Sequence, residues 1–308
     1  MPAEASLTSP PQVAGAPNER RNLRESRRGG KSKITGIKFR PEHVVNENHW
    51  VVEDVMTTLI ESQGLRKKFG ALQAVDGIDL TVSAGEVLGF LGPNGAGKST
   101  TMRMLTGFLE MDAGSVQLAG VDLHADPLEA RRRMGYLPEG APAYPDMKVR
   151  EFLMFVAQAR GFLAMEAKRR VEEAVERIHL QLVLGQTVET LSKGFKRRVG
   201  LAQAMLHDPP VLILDEPTDG LDPNQKHEVR KLITEMGEAQ GKAIVLSTHI
   251  LEEVEAVCTR AVIINKGKVV ADDTPEALRA MAPAGVAGNP MDHVFRSVTS
   301  GELEEIGA

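Results

Sequence analysis

From about residue 58 the chain alternates short apolar runs with longer amphipathic stretches, a rhythm that predicts an α/β fold. Strands are expected at Ile78–Val82, Val87–Leu91 and Ser115–Leu118, then at Val211–Leu214, Ala243–Leu246 and Val262–Ile264. A helix is expected from about Lys98 to Phe108, with Met102, Leu105 and Phe108/Leu109 on one face. Residues 148–206 read as helix-rich. Within them Met165, Val171, Ala174, Val175 and Ile178 fall on one stripe, opposite Lys, Arg and Glu. A helical block therefore interrupts an otherwise alternating domain. No internal repeat and no long heptad run is visible.

Residues 1–56 break the rhythm. They hold Pro10-Pro11, Gly29-Gly30 and the basic series Arg20, Arg21, Arg24, Arg27, Arg28, Lys31 and Lys33, with few apolar positions. They read as a disordered basic extension without the apolar centre of a secretory signal. Such an arm is a solvated tail or a contact for nucleic acid or anionic lipid, and Met56 would also serve as a natural start. The net charge of −5 favours no particular partner. The single cysteine, Cys258, forms neither an internal disulfide nor a zinc cluster, which fits a reducing compartment. No apolar stretch approaches the ~20 residues that span a bilayer, so any membrane-spanning part must come from another chain.

The chemistry lies at the junctions. Gly92-Pro93-Asn94-Gly95-Ala96-Gly97-Lys98-Ser99-Thr100 follows one expected strand and opens the first helix. That is a phosphate-binding loop: its glycines let backbone N–H groups close around a polyphosphate. Lys98 can reach the outer phosphates, and the Ser99 hydroxyl suits Mg²⁺. The strand Val211–Leu214 ends in Asp215-Glu216, and ligands of open α/β sheets bind at the carboxyl ends of strands. Asp215 is placed for the Mg²⁺ shell, and Glu216 can polarise a water for in-line attack on a γ-phosphate. In Leu191-Ser192-Lys193-Gly194-Phe195, Ser192 sits where a helix should begin, as a hydroxyl cap.

Taken in order, these segments resemble the ATP-binding subunit of an ABC transporter, over residues 58 to about 280. Leu191–Phe195 resembles the family's signature, Asp215-Glu216-Pro217-Thr218 its second Walker motif, and Gly220-Leu221-Asp222 its D-loop. Ser247-Thr248-His249 ends a strand as the family's switch histidine does, and Phe69 falls at the aromatic that stacks on adenine. Leu-Ser-Lys-Gly and Gly135-Tyr136-Leu137-Pro138-Glu139 are similar in wording to single-cassette exporter subunits, including the gliding-motility and copper-enzyme maturation branches. The resemblance implies a P-loop NTPase with a RecA-like core, a small antiparallel β-subdomain and an inserted helical subdomain at about 146–206. The cassette would span 57–285, with a short helix and tail at 286–308.

The resemblance also implies an ATPase whose two cassettes, a second copy or a related one, sandwich ATP. Phe69 and Gly92–Thr100 would hold ATP, joined in trans by Ser192, Lys193 and Gly194. Ser99, Asp215 and Glu139 would hold Mg²⁺. Glu216, His249 and Glu139 would serve hydrolysis, and Asp222 would connect the two sites. Two departures stand out: Glu139 replaces a glutamine, gaining charge and losing a donor, while Lys193 and Phe195 replace glycine and glutamine in the signature.

Gly140–Asp146 and the following helix, with Val149, Phe152, Leu153 and Val156 on one side, correspond to the family's groove for a polytopic membrane permease; the alternative is that they build only the helical core. The expected location is then peripheral, on the cytoplasmic face of the inner membrane. The rival reading is a soluble ABC ATPase acting on ribosomes or nucleic acid. Translation-factor members usually carry two cassettes and DNA-repair members long coiled coils, so nucleic acid is not the expected partner. A GTPase is disfavoured by the lack of an Asn-Lys-x-Asp motif.

Overall fold

The computed structural model describes residues 57–286 and 288–300. The expectations for residues 1–56, and for the tail beyond 300, lie outside the described residues. The chain opens with a hairpin of β1 (Thr58–Phe69) and β2 (Leu72–Ser83), which closes at Phe69 opposite Leu72. It then runs through β3 (Val87–Leu91) and α1 (Lys98–Leu105) to β4 (Ala113–Leu118) and β5 (Val121–Asp122). β1, β2, β4 and β5 form an antiparallel sheet in the order β2-β1-β4-β5. After α2 (Pro127–Arg132) and β6 (Met134–Leu137) comes the helical block: α3 (Val149–Ala159), α4 (Ala164–Ile178) and α5 (Lys193–Met205). Next are β7 (Val211–Asp215), α6 (Pro223–Glu238), β8 (Ala243–Ser247), α7 (Leu251–Val257), β9 (Arg260–Asn265) and β10 (Lys268–Asp273). α8 (Pro275–Ala280) and α9 (Pro290–Ser300) close the described chain.

The second sheet has the order β10-β9-β3-β8-β7-β6, parallel except for β10. Its central strands are buried throughout because both faces are covered, which is why they are continuous apolar runs. Within β3 the pleat still sorts side chains. Leu88 and Phe90 join the core formed with α1 and the antiparallel sheet, whereas Val87 and Leu91 join the core formed with the helical layer. The carboxyl ends of β3, β7 and β8 therefore open at one edge, between two packed layers.

Two features of the expected pattern fail, one where a helix ends and one by helical period. α1 ends at Leu105, because Gly107 takes a left-handed φ of +65° just past the cap, and Phe108 is left 76% exposed. The buried stripe of α4 is Ala167, Val171, Ala174, Val175 and Ile178. Met165, two positions before Ala167 and so about 200° around the helix, is exposed instead. In α3, Val149, Phe152 and Leu153 are buried in the core of the helical block and offer no groove surface. What that region exposes is Tyr144 and Phe155, packed edge to face at 5.5 Å between ring centroids.

Candidate functional site

The phosphate loop runs from the end of β3 to the first turn of α1, and its shape demands glycine at two points. A Cβ on Gly92 would lie 2.5 Å from the Ile264 carbonyl oxygen. Gly97, at φ +110°, would place one 2.5 Å from the Ala74 carbonyl oxygen. The Gly267 N–H donates to the Ala96 carbonyl at 2.9 Å and ties the loop to the β9–β10 turn. The N–H groups opening α1 lack helical partners, so the loop closes on an anion site. Lys98 is buried, and its Nζ donates to the carbonyls of Gly92 at 2.6 Å and Pro93 at 3.2 Å. Burial lowers the Lys98 pKa, opposed by the charges of Glu216, Asp215 and Glu139. The acids selected from the sequence thus converge on this ammonium.

Strands β7 and β8 position those acids. Asp215 and Ser247 stand opposite each other where the parallel ladder ends. The Ser247 hydroxyl donates to Asp215 Oδ1 at 2.5 Å, while Asp215 Oδ2 is buried without a partner. An orphaned carboxylate oxygen at the mouth of a phosphate loop fits a cation. Among the described residues no cluster of three or more His, Cys, Asp or Glu forms a metal cage. That donor set suits Mg²⁺, which is commonly bound through one or two carboxylates plus substrate phosphates.

Glu216 follows with φ +52°, a left-handed conformation that costs a non-glycine residue about 1–3 kcal/mol. Its N–H is held by Ser247, through the hydroxyl at 3.0 Å and the carbonyl at 3.2 Å. The turn aims its carboxylate at His249, whose Nδ1 lies 3.0 and 3.1 Å from the two oxygens. Burial pushes the Glu216 pKa up, and the His249 hydrogen bond and charge act against it.

The remaining sequence candidates lie outside that cluster, except that the charge of Glu139 also acts on Lys98. Phe69 is half exposed at the β1–β2 turn, with Lys67 Nζ 5.8 Å from its ring centroid. Glu139 is exposed in the loop after β6. Ser192 caps α5, its Oγ accepting from the Phe195 N–H at 3.3 Å, and Asp222 caps α6 by accepting from the Gln225 N–H at 2.9 Å. These two caps are neighbours. A Cβ on Gly194 would lie 3.2 Å from the Gly220 carbonyl oxygen, and one on Gly220 would lie 3.1 Å from Lys193 Cβ. The atoms nearest to Gly92 and Gly97 come instead from Ala74, Val75, Ala96, Ile264 and Gly267.

Two further residues shape the site without having been singled out in the sequence. Ser247 links Asp215 to Glu216, as described. Arg197, 5% exposed, donates to the carbonyls of Pro138 and Asp215, each at 3.3 Å, and lies 3.6 Å from the Asp219 carboxylate. It joins the helix after the signature to the strand end and to the loop carrying Glu139. A signal for it exists: the buried stripe of α5 includes Gly194, Arg197, Arg198 and Leu201, so two arginines occupy core positions at helical spacing.

The family described as ABC transporter matches residues 75–219. The Nod factor export ATP-binding protein I of Burkholderia lata is 40% identical over 223 residues, 71% of this chain and 72% of that protein. A solved structure of the ATP-binding subunit of an ABC transporter superposes with a TM-score of 0.70 at 33% identity, covering 78% of this chain and 99% of that one. A dimeric ATP-binding cassette, solved in a post-hydrolysis state with ADP and phosphate, superposes with a TM-score of 0.66 at 22% identity. It covers 70% of this chain and 99% of its own, a likeness of fold alone.

Proposed function

The chain belongs to the ABC transporter family as a single ATP-binding cassette, and from that premise we propose how its residues divide the work. It is the ATP-binding and ATP-hydrolysing subunit of a transporter. In the proposed division, Phe69 stacks on adenine and Gly92–Thr100 wrap the phosphates. Lys98 exchanges its two loop carbonyls for the outer phosphate oxygens. Ser99, Asp215 and Glu139 would hold Mg²⁺, which would neutralise charge on the phosphates. Glu216 takes the proton of the attacking water. His249 fixes the Glu216 carboxylate and reaches toward the γ-phosphate. Ser192, Lys193 and Gly194 act on the ATP of a second cassette, and Asp222 beside them carries the state of one site to the other.

The observation that carries this reading is the separation within one chain. Lys98, Asp215, Glu216 and His249 converge, while the exposed cap of α5 packs against the Gly220–Asp222 loop instead. A nucleotide site with half its donors elsewhere is completed by closure of a dimer. Membrane coupling falls to a separate polytopic subunit, since among the described residues no helix is long and apolar enough to cross a bilayer. The exposed pair Tyr144 and Phe155 is the proposed contact for that subunit, at the cytoplasmic face of the inner membrane. Likeness to an export ATP-binding protein supports outward transport.

The direct test is purification of the tagged full chain from detergent-solubilised membranes. A polytopic protein is expected to copurify and to change the ATPase rate; sedimentation with ribosomes and no such protein would favour the rival reading. The acid limb of turnover against pH offers a second test. Turnover rises as Glu216 loses its proton, and burial places that loss above the ordinary carboxylate range. His249 lowers that pKa, so His249→Ala is expected to move the acid limb to higher pH as well as reducing the rate. An acid limb that stays in place would disconnect this pair from turnover.

A further inference from the structure

Beyond the residues that touch ATP, one buried carboxylate joins both sides of the catalytic pair. Glu253 on α7 is 3% exposed. Its Oε1 accepts from Thr218 Oγ1 at 2.5 Å, and its Oε2 from Thr248 Oγ1 at 2.9 Å. Lys226 Nζ and Arg230 Nη2 of α6 each approach Oε1 at 3.4 Å. Thr218 stands two residues after Glu216, and Thr248 immediately precedes His249. Both threonines are buried.

The position explains the need. The β7–β8 ladder ends at Asp215 opposite Ser247. Beyond that point the two chains continue as irregular backbone, one through the left-handed Glu216 and the other through His249. Past the Glu216 N–H contacts to Ser247, the parallel ladder no longer holds them in register. We propose that Glu253 is a positioning residue that extends the pairing past the strand ends and thereby sets the Glu216–His249 geometry. The two α6 cations offset the cost of burying its charge. They also anchor the site to the helix capped by Asp222, so motion of that helix is transmitted to His249 through one carboxylate.

This inference rests on the assignment of Glu216 and His249 to hydrolysis, and its test separates the two. Thr248→Val and Glu253→Gln, made in the full chain, are expected to lower kcat about tenfold, as a small misplacement of reacting groups does. Binding of ATP, which the phosphate loop carries, should change by less than about twofold. Thr248→Ser, which keeps the hydroxyl, should recover most of the loss. In the His249→Ala background, Thr248→Val should cost less than about twofold more, because Thr248 reaches the reaction through His249. Turnover unchanged in Thr248→Val and Glu253→Gln would overturn the proposal. So would ATP affinity falling in step with kcat, or full additivity with His249→Ala. If Glu253→Gln does not fold, the Thr248 pair decides alone. Absence of ATP turnover in the unaltered chain would instead count against the ATPase reading, and leave the Glu253 contacts as they are.

Discussion

Glu216→Gln is expected to cut ATP turnover by about a thousandfold, within the range that general-base removal costs, while ATP binding persists. Glutamine matches glutamate in size and still accepts a hydrogen bond from His249. It leaves the N–H contacts to Ser247 in place, since those belong to the backbone. What it loses is a carboxylate able to take the proton from the attacking water. The phosphate loop, Lys98 and the orphaned Asp215 oxygen are untouched, so the affinity for ATP with Mg²⁺ should hold. If ATP is what closes two cassettes together, blocking hydrolysis leaves the closed state without its exit. Size-exclusion chromatography of the variant should then show a dimer with ATP and a monomer without nucleotide. Hydrolysis at the normal rate would remove Glu216 from its role.

How much of this was legible in the sequence depended on whether the relevant constraint was local. The phosphate loop was readable because its residue types sit within nine consecutive positions and Lys98 folds back onto Gly92, although the atoms that bar a side chain at Gly92 and Gly97 belong to Ile264 and Ala74. The buried strands were readable because both faces are covered. β1 was not singled out as a strand: its buried positions Ile60, Ser62 and Leu65 slip register between Ser62 and Leu65, and Arg66–Lys68 break the apolar run. Met165 misled because an apolar residue near a stripe is counted onto it unless the angle is worked through, and Phe108 because the helix stops before it, at Leu105 ahead of the left-handed Gly107. Ser247 carried no signal as a strand-end serine. It became meaningful only once β8 lay beside β7, and strand order is decided by tertiary packing. Arg197 was within reach, had its place on the buried stripe of α5 been weighed against its charge.

The sharpest consequence of the proposed division of the site between two cassettes is complementation. Gly194→Asp should by itself bring hydrolysis close to zero. It places a carboxylate where the γ-phosphate of a partner's ATP would approach, and its Cβ crowds the Gly220 carbonyl and the Gln225 side chain. Neither effect reaches the variant's own phosphate loop, so its ATP binding should survive. Mixed with Glu216→Gln, it forms dimers in which one site is doubly damaged and the other has an intact base from one chain and an intact signature from the other. Random one-to-one pairing makes about half the dimers mixed, each with one working site of two, so about a quarter of the normal turnover should return if the sites act independently. If Ser192–Gly194 served the ATP of their own chain, every site in the mixture would carry a lesion and turnover would stay near zero. Recovery on mixing two inactive proteins is therefore a signal that misfolding of either would not produce.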